Sequence, residues 1–219
     1  MEQLEAASTP ADIEKRSFEI IEAEIPEPRR FEGALWQVAR RCIHAMGDIA
    51  ILPQLCLDMN ALEAGLAAMR AGCAIYTDTA MLAAGLVARR MEPLGIEVKP
   101  LMTIEGIGEL AKSRGITRAR AGVELVGDRL AGNIMAIGNA PTALLALLEL
   151  LAKGAPAPAL IIGMPVGFVN AAQSKALLAK SPWPHFTLLG RKGGSPVAAA
   201  CLNAMADLLL AQDNPYSPI

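Results

Sequence analysis

The sequence predicts an α/β fold, a mainly parallel sheet of about five strands with helices on both sides. Two short apolar runs, ALII at 159–162 and FTLL at 186–189, each stop at a glycine, Gly163 and Gly190. Short β-rich runs bounded in this way read as strands buried on both faces, the habit of parallel sheets. Each is followed by a loop of small residues, GMPVGF at 163–168 and GRKGGS at 190–195, and then by a helical pattern. Strand-like and helical stretches alternate in the same way through most of the chain.

Taken in order, Thr9 followed by Pro10 marks a helix start, an N-cap and then a first-turn proline, and that helix is expected to reach about Ser17. Residues 18–25 alternate apolar and acidic side chains and are expected as a strand or an extended arm, ended by Pro26 and Pro28. A helical pattern over 31–45 stops at Gly47 and Asp48, and Asp58 or Asn60 caps another helix over 61–70. Strands are predicted at 73–77, 96–102, 134–137, 159–162 and 186–189. Helices are predicted at 79–90, at 104–113 ending at Gly115, at 118–126, and at 141–153. The last helix, 196–211, is apolar on most faces and should be buried. With no internal repeat or low-complexity linker, residues 1–219 read as a single domain, with 1–30 as an N-terminal helix and extended arm.

Composition narrows the function classes. The chain has 219 residues, ample for a substantial core, and a net charge of -2, which argues against nucleic acid or a membrane surface as partner. The apolar stretches are broken by Glu149, Asn203 and Asp207 before they reach the roughly 18 residues a membrane span needs. The polar, acidic start lacks the apolar core of a secretory signal, so a cytoplasmic location is expected. Cys42, Cys56, Cys73 and Cys201 are widely spaced without histidine partners, which favours reduced, mostly buried thiols over a zinc site or a disulfide framework.

In open α/β sheets ligands bind beyond the carboxyl ends of the strands, where glycines admit a close approach and helix N-termini offer free N–H groups. The loops 163–168 and 190–195 should therefore line a site for something anionic, although tight turns alone also demand glycine. Asp78 or Thr79 fits an N-cap after the strand at 73–77, and Asn139 fits one after 134–137. No GxGxxG dinucleotide fingerprint and no GxxxxGK[ST] phosphate loop is present. Of the two histidines, His185 reads as structural at a strand entrance. His44 lies in the last turn of its helix, where the dipole favours imidazolium while Arg40 and Arg41 oppose it. That balance suits a general acid, but spacing alone favours a C-terminal capping role.

The segments SFEIIEAE (17–24), RRCIHAMGD (40–48), YTDTAML (76–82), GITRAR (115–120), IGNAPTALLALLEL (137–150), PALIIGMPVGFVNAAQSK (158–175) and GRKGGSPVAAACLNA (190–204) occur in the order and spacing of one family. The chain resembles the precorrin-8X methylmutases, including the cobalt-precorrin-8 enzymes, of cobalamin biosynthesis. The resemblance implies a three-layer α/β/α fold, a homodimer, and an isomerase that moves a methyl group from C11 to C12 of a tetrapyrrole. The product is hydrogenobyrinate, or cobyrinate when cobalt is already bound. It implies no cofactor and no protein-bound metal, with His44 as catalytic proton donor. It further implies Ser17, Arg40 and Arg118 as substrate-holding residues, with Arg118 a carboxylate clamp. Thr77, Gly167 and Ser195 are implied to line the site, and Lys192 is a weaker candidate. A mutase that binds its product tightly is also able to hand it over to the next pathway enzyme.

Two departures stand out. Gln173 occupies a position where relatives commonly carry glutamate, and Ala45 follows the histidine where relatives carry small hydroxyl residues. The rival readings are a non-catalytic carrier of the corrin product and a nucleotide-binding α/β protein, the latter disfavoured by the missing fingerprint.

Overall fold

The computed structural model describes residues 9–213. Within them the sheet has six strands: β1 (Leu55–Cys56), β2 (Ala74–Thr77), β3 (Glu97–Pro100), β4 (Ile134–Ile137), β5 (Leu160–Gly163) and β6 (His185–Leu188). Their order is β1-β6-β5-β4-β2-β3, with β2 to β6 mutually parallel and β1 antiparallel at the edge beside β6. The helices are α1 (Pro10–Glu24), α2 (Gly33–Met46), α3 (Met59–Arg70), α4 (Ala80–Gly85), α5 (Ala88–Met91), α6 (Ile107–Arg114), α7 (Arg118–Val126), α8 (Pro141–Ala152), α9 (Ala171–Leu178) and α10 (Ser195–Asp213).

Period-2 side-chain alternation splits the interior into two cores, one on each sheet face. Ile75, Ile134, Ala136, Leu160 and Ile162 face a core shared with α2, α3 and α10. Tyr76, Met135, Ile137 and Ile161 face the other, shared with α7 and α8. All four residues of β4 and of β5 are buried, which is why these strands carry no polar alternation. Helix α10 packs along α2, burying Cys201, Leu202 and Met205 with Val38, Cys42 and Ile43. Each such aliphatic side chain removed from water contributes about 1.5–3 kcal/mol.

Three elements differ from the sequence expectation. Residues 18–25 are neither strand nor extended arm: α1 continues unbroken to Glu24. The apolar-acidic alternation there is also a helical pattern, with Phe18, Ile21 and Ile25 on one face against the core and Ile20 left outside. The helix expected over 79–90 is two pieces, α4 and α5, broken at Leu86 and Val87. The break is stabilised from a distance by Asn203 of α10, which accepts from the Val87 N–H at 3.0 Å and donates to the Gly85 carbonyl at 2.8 Å. Strand β1 escaped the sequence reading because two residues after Pro53 are too short to show a period.

The strand order reverses between β2 and β4, so the crevice beyond their carboxyl ends is the sheet's switch point. There Asp78, fully buried, accepts from the N–H groups of Gly138 (3.0 Å), Asn139 (2.8 Å) and Ala140 (2.7 Å). Asn139 is therefore not the cap of α8, and Ala140 occupies the N-cap position without a side-chain bond. The carboxylate at the neighbouring strand end instead holds the backbone just before α8, while Thr79 caps α4 by accepting from the Leu82 N–H.

Candidate functional site

The groove that gathers the chemistry lies where the end of α2 meets the start of α10, beside α4. Its volume is about 350 Å3, and Arg41, His44, Ala45, Met81, Ser195 and Asn203 are among the residues lining it. Helix α2 ends at Gly47, whose left-handed backbone (φ +57°) lets its N–H return to the His44 and Ile43 carbonyls. The helix is thus closed by its own backbone, and the His44 ring is free of a capping duty. The imidazole packs edge-on against Phe18 of α1, with centroids 5.3 Å apart and planes at 73°. Its Nδ1 is buried with no hydrogen-bond partner. Nε2 is therefore the ring atom that can meet a ligand in the groove.

The neighbouring cations are already committed. Arg40 pairs with Glu22 and lies 4.2 Å from the Phe18 ring centroid. Arg41 pairs with Glu14 of α1 and, at 3.1 Å, with Asp207 of α10, which also binds Arg90. Phe18 is thereby held between two guanidiniums and the histidine, so α1 fixes the ring that fixes His44. None of this was legible in the sequence, where Glu14, Glu22 and Asp207 look like ordinary surface charges.

Ser195 opens α10 on the other wall, with its hydroxyl 3.4 Å from that of Thr79. The loop 190–195 before it is clamped to the loop 163–168. Gly194 donates to the Met164 carbonyl at 2.9 Å, and Gly167 donates to the Arg191 carbonyl at 3.1 Å. A Cβ on Gly193 would collide with the Met164 carbonyl, so this crossing of backbones requires glycine. At Gly138 an added Cβ would stand 2.8 Å from the Ser195 backbone, which brings the switch point against the start of α10. Lys192 pairs with Asp48, one residue past the cap of the histidine helix. That pairing holds the Asp48 carboxyl below its usual value.

Of the seven residues the sequence pointed to, His44 and Ser195 face one groove, and Arg40 stands behind the histidine with Phe18. Ser17 lies next to Phe18 and returns its hydroxyl to the Ile13 carbonyl at 2.7 Å. Thr77 is fully buried and donates to the Thr79 carbonyl, so it supports the rim from beneath. Arg118 opens α7, exposed, beside Thr117, whose hydroxyl bonds that of Thr142 in the first turn of α8 at 2.8 Å. Gly167 (φ +140°) sits in an outward loop with Phe168 82% exposed. Gln173 is exposed on α9 and does not line the groove, while Ala45 does. Met81 and Asn203 are groove residues that sequence reasoning missed, since nothing local marks them, while Arg41 was read only as a charge beside His44.

The chain was compared with known proteins. A family model described as CbiC, precorrin-8X methylmutase, matches residues 12–208. The cobalt-precorrin-8 methylmutase of Priestia megaterium is 40% identical over 199 residues, 91% of this chain and 88% of that protein. The precorrin-8X methylmutase of a Sinorhizobium species is 43% identical over 196 residues, covering 89% and 92%. Among solved structures, the precorrin-8x methyl mutase from Thermus thermophilus matches with a TM-score of 0.82 at 40% identity, covering 91% of this chain and 98% of that one.

Proposed function

The chain belongs to the precorrin-8X methylmutase family, and from that premise we propose that it moves a methyl group from C11 to C12 of the tetrapyrrole with His44 as proton donor. It is an isomerase of cobalamin biosynthesis, acting at the methyl-shift step. The bond from methyl to C11 breaks as the bond to C12 forms, so substrate and product have the same atoms. Proton donation from Nε2 of His44 to the macrocycle draws electron density from the migrating centre and is returned after migration. The observation that supports this role is the one histidine on the groove wall, with Nδ1 sealed in protein and its ring held by Phe18.

A tetrapyrrole carrying several carboxylates needs cations at its edge and apolar contact on its faces. Met81, 72% exposed, and Ala45 supply apolar contact beside His44. Arg118 does not line the groove; it has no ion-pair partner among the described residues, and we propose that it takes a carboxylate of the substrate. Arg118→Ala is expected to raise KM about tenfold, the value of one charge-assisted bond, with little change in kcat or melting temperature. An unchanged KM would remove Arg118 from the site. The reading extends to a homodimer, supported by the exposed apolar residues Val166, Phe168 and Val169, and to a cytoplasmic enzyme that hands its product on. Sedimentation giving only the 23.0 kDa monomer at assay concentration would exclude the dimer.

The deciding experiment is a visible-spectrum time course with precorrin-8 and, separately, its cobalt form, each followed by chromatography. Conversion rearranges the conjugation and yields a new compound of unchanged mass, and the sample that converts names the substrate form. A band shift without a new compound would mean a carrier.

A further inference from the structure

Beneath the two clamped loops lies a lysine that neither the fold nor the proposed chemistry accounts for. Lys175, in the second turn of α9, is wholly buried. Its ammonium donates to the Lys192 carbonyl, in the middle of the loop 190–195. No carboxylate pairs with it among the described residues. The titratable groups of α8 and β6, the elements packed against α9, and those of the loop 190–195 are all engaged elsewhere. Glu149, the one carboxylate of α8, binds Arg120, and His185 of β6 bonds the Trp183 carbonyl. Lys192 turns its own ammonium away to Asp48, and Arg191 lies against the Phe168 ring. Burial alone lowers the Lys175 pKa to about 8.

A methionine of similar length would fill this space without the cost of burying a charge. The position of the ammonium indicates what that cost supports. Lys192 is held at two points: its carbonyl by α9 through Lys175, and its side chain by Asp48, one residue past the cap of the helix that carries His44. Three residues further on, Ser195 enters the groove. Because Gly193 and Gly194 contribute no side-chain packing, the loop's path depends on such backbone anchors.

We propose that Lys175 is a positioning residue of the substrate site: its buried ammonium fixes the loop 190–195 against the end of α2 and so sets where Ser195 stands relative to His44. This rests on the groove being the tetrapyrrole site. Deprotonation leaves a weaker, uncharged donor, so the anchor is full below the lysine's folded pKa and slackens as pH rises through it.

Two readouts test this on the full chain. The first is ligand-free: amide NMR signals of Gly190, Gly193 and Gly194, followed from about pH 7 to about pH 9.5, where a buried lysine of lowered pKa titrates. In the wild type they are expected to shift together along one titration curve, and in Lys175→Met to stay still. The second is kinetic: wild-type KM for the tetrapyrrole is expected to rise about tenfold over that range, and the Met variant to show the raised KM throughout with kcat nearly unchanged. Static loop signals in the wild type, or a folded Lys175→Met enzyme with the wild-type KM and pH profile, would overturn the proposal. Should the variant not fold, the wild-type loop signals decide. Absence of turnover in the wild type would count against the methylmutase reading alone, since the loop titration needs no substrate.

Discussion

Replacing His44 with alanine is expected to lower kcat by about a hundred- to ten-thousand-fold, the usual contribution of a positioned acid–base group. The loss should fall on kcat with product affinity nearly retained, because the groove walls from Met81, Ser195 and Asn203 remain. Stability should change little. The ring is only partly buried, makes no hydrogen bond through Nδ1, and contributes one edge contact with Phe18. Turnover of precorrin-8 followed by absorbance, alongside product binding by equilibrium dialysis, separates the outcomes. Wild-type turnover in His44→Ala would sink the proton-donor role while leaving the family assignment untouched. Loss of binding together with turnover would mean that the ring shapes the groove rather than transferring a proton.

The second large effect is expected on stability. Asp78→Ala removes one fully buried carboxylate and leaves the three N–H donors just before α8, that of buried Gly138 among them, without their partner. Breaking a buried charged group away from its partners costs about 3–5 kcal/mol, roughly 10 °C in melting temperature for a domain of this size. Asp78→Asn should cost less, since an amide oxygen still accepts part of the set. A melting temperature within about 2 °C of wild type for the alanine variant would contradict this account, given the per-kcal shift expected at this length. The same geometry bears on the nucleotide rival. In doubly wound folds the N–H groups at the switch point receive a phosphate. Here they are already spent on Asp78.

The two carboxylates near the site respond to pH in opposite senses. Burial raises the Asp78 pKa against the pull of its three N–H partners. Between its unfolded and folded values the native state then binds more protons, so the stability it contributes falls as pH rises through that window. Asp48 is held low by Lys192, so its contribution is present above the ordinary carboxylate value and is lost as pH falls below it. As pH falls Asp78 therefore takes up its proton before Asp48 does, and of the two only the protonation of Asp48 costs stability.

The sequence by itself determined the α/β class and the five parallel strands to within a few residues. Those features are local: glycine stops such as Gly47, and buried apolar runs such as IMAI and LIIG. A period or a cap is written in neighbouring residues, so it can be read without knowing what lies across the fold. The tertiary structure alone decided the rest. Whether 18–25 was strand or helix depended on which of Phe18, Ile20 and Ile21 found the core. The break between α4 and α5 depended on Asn203, more than a hundred residues away, and the approach to α8 was held by Asp78, just past the end of another strand. Phe18 reached His44, and Lys175 reached Lys192, only through packing of separate helices and loops. Local propensities amount to about a kcal/mol or less per residue, whereas unpartnered buried N–H groups and misplaced apolar side chains cost several times that. Long-range partners therefore override local preference wherever the two compete.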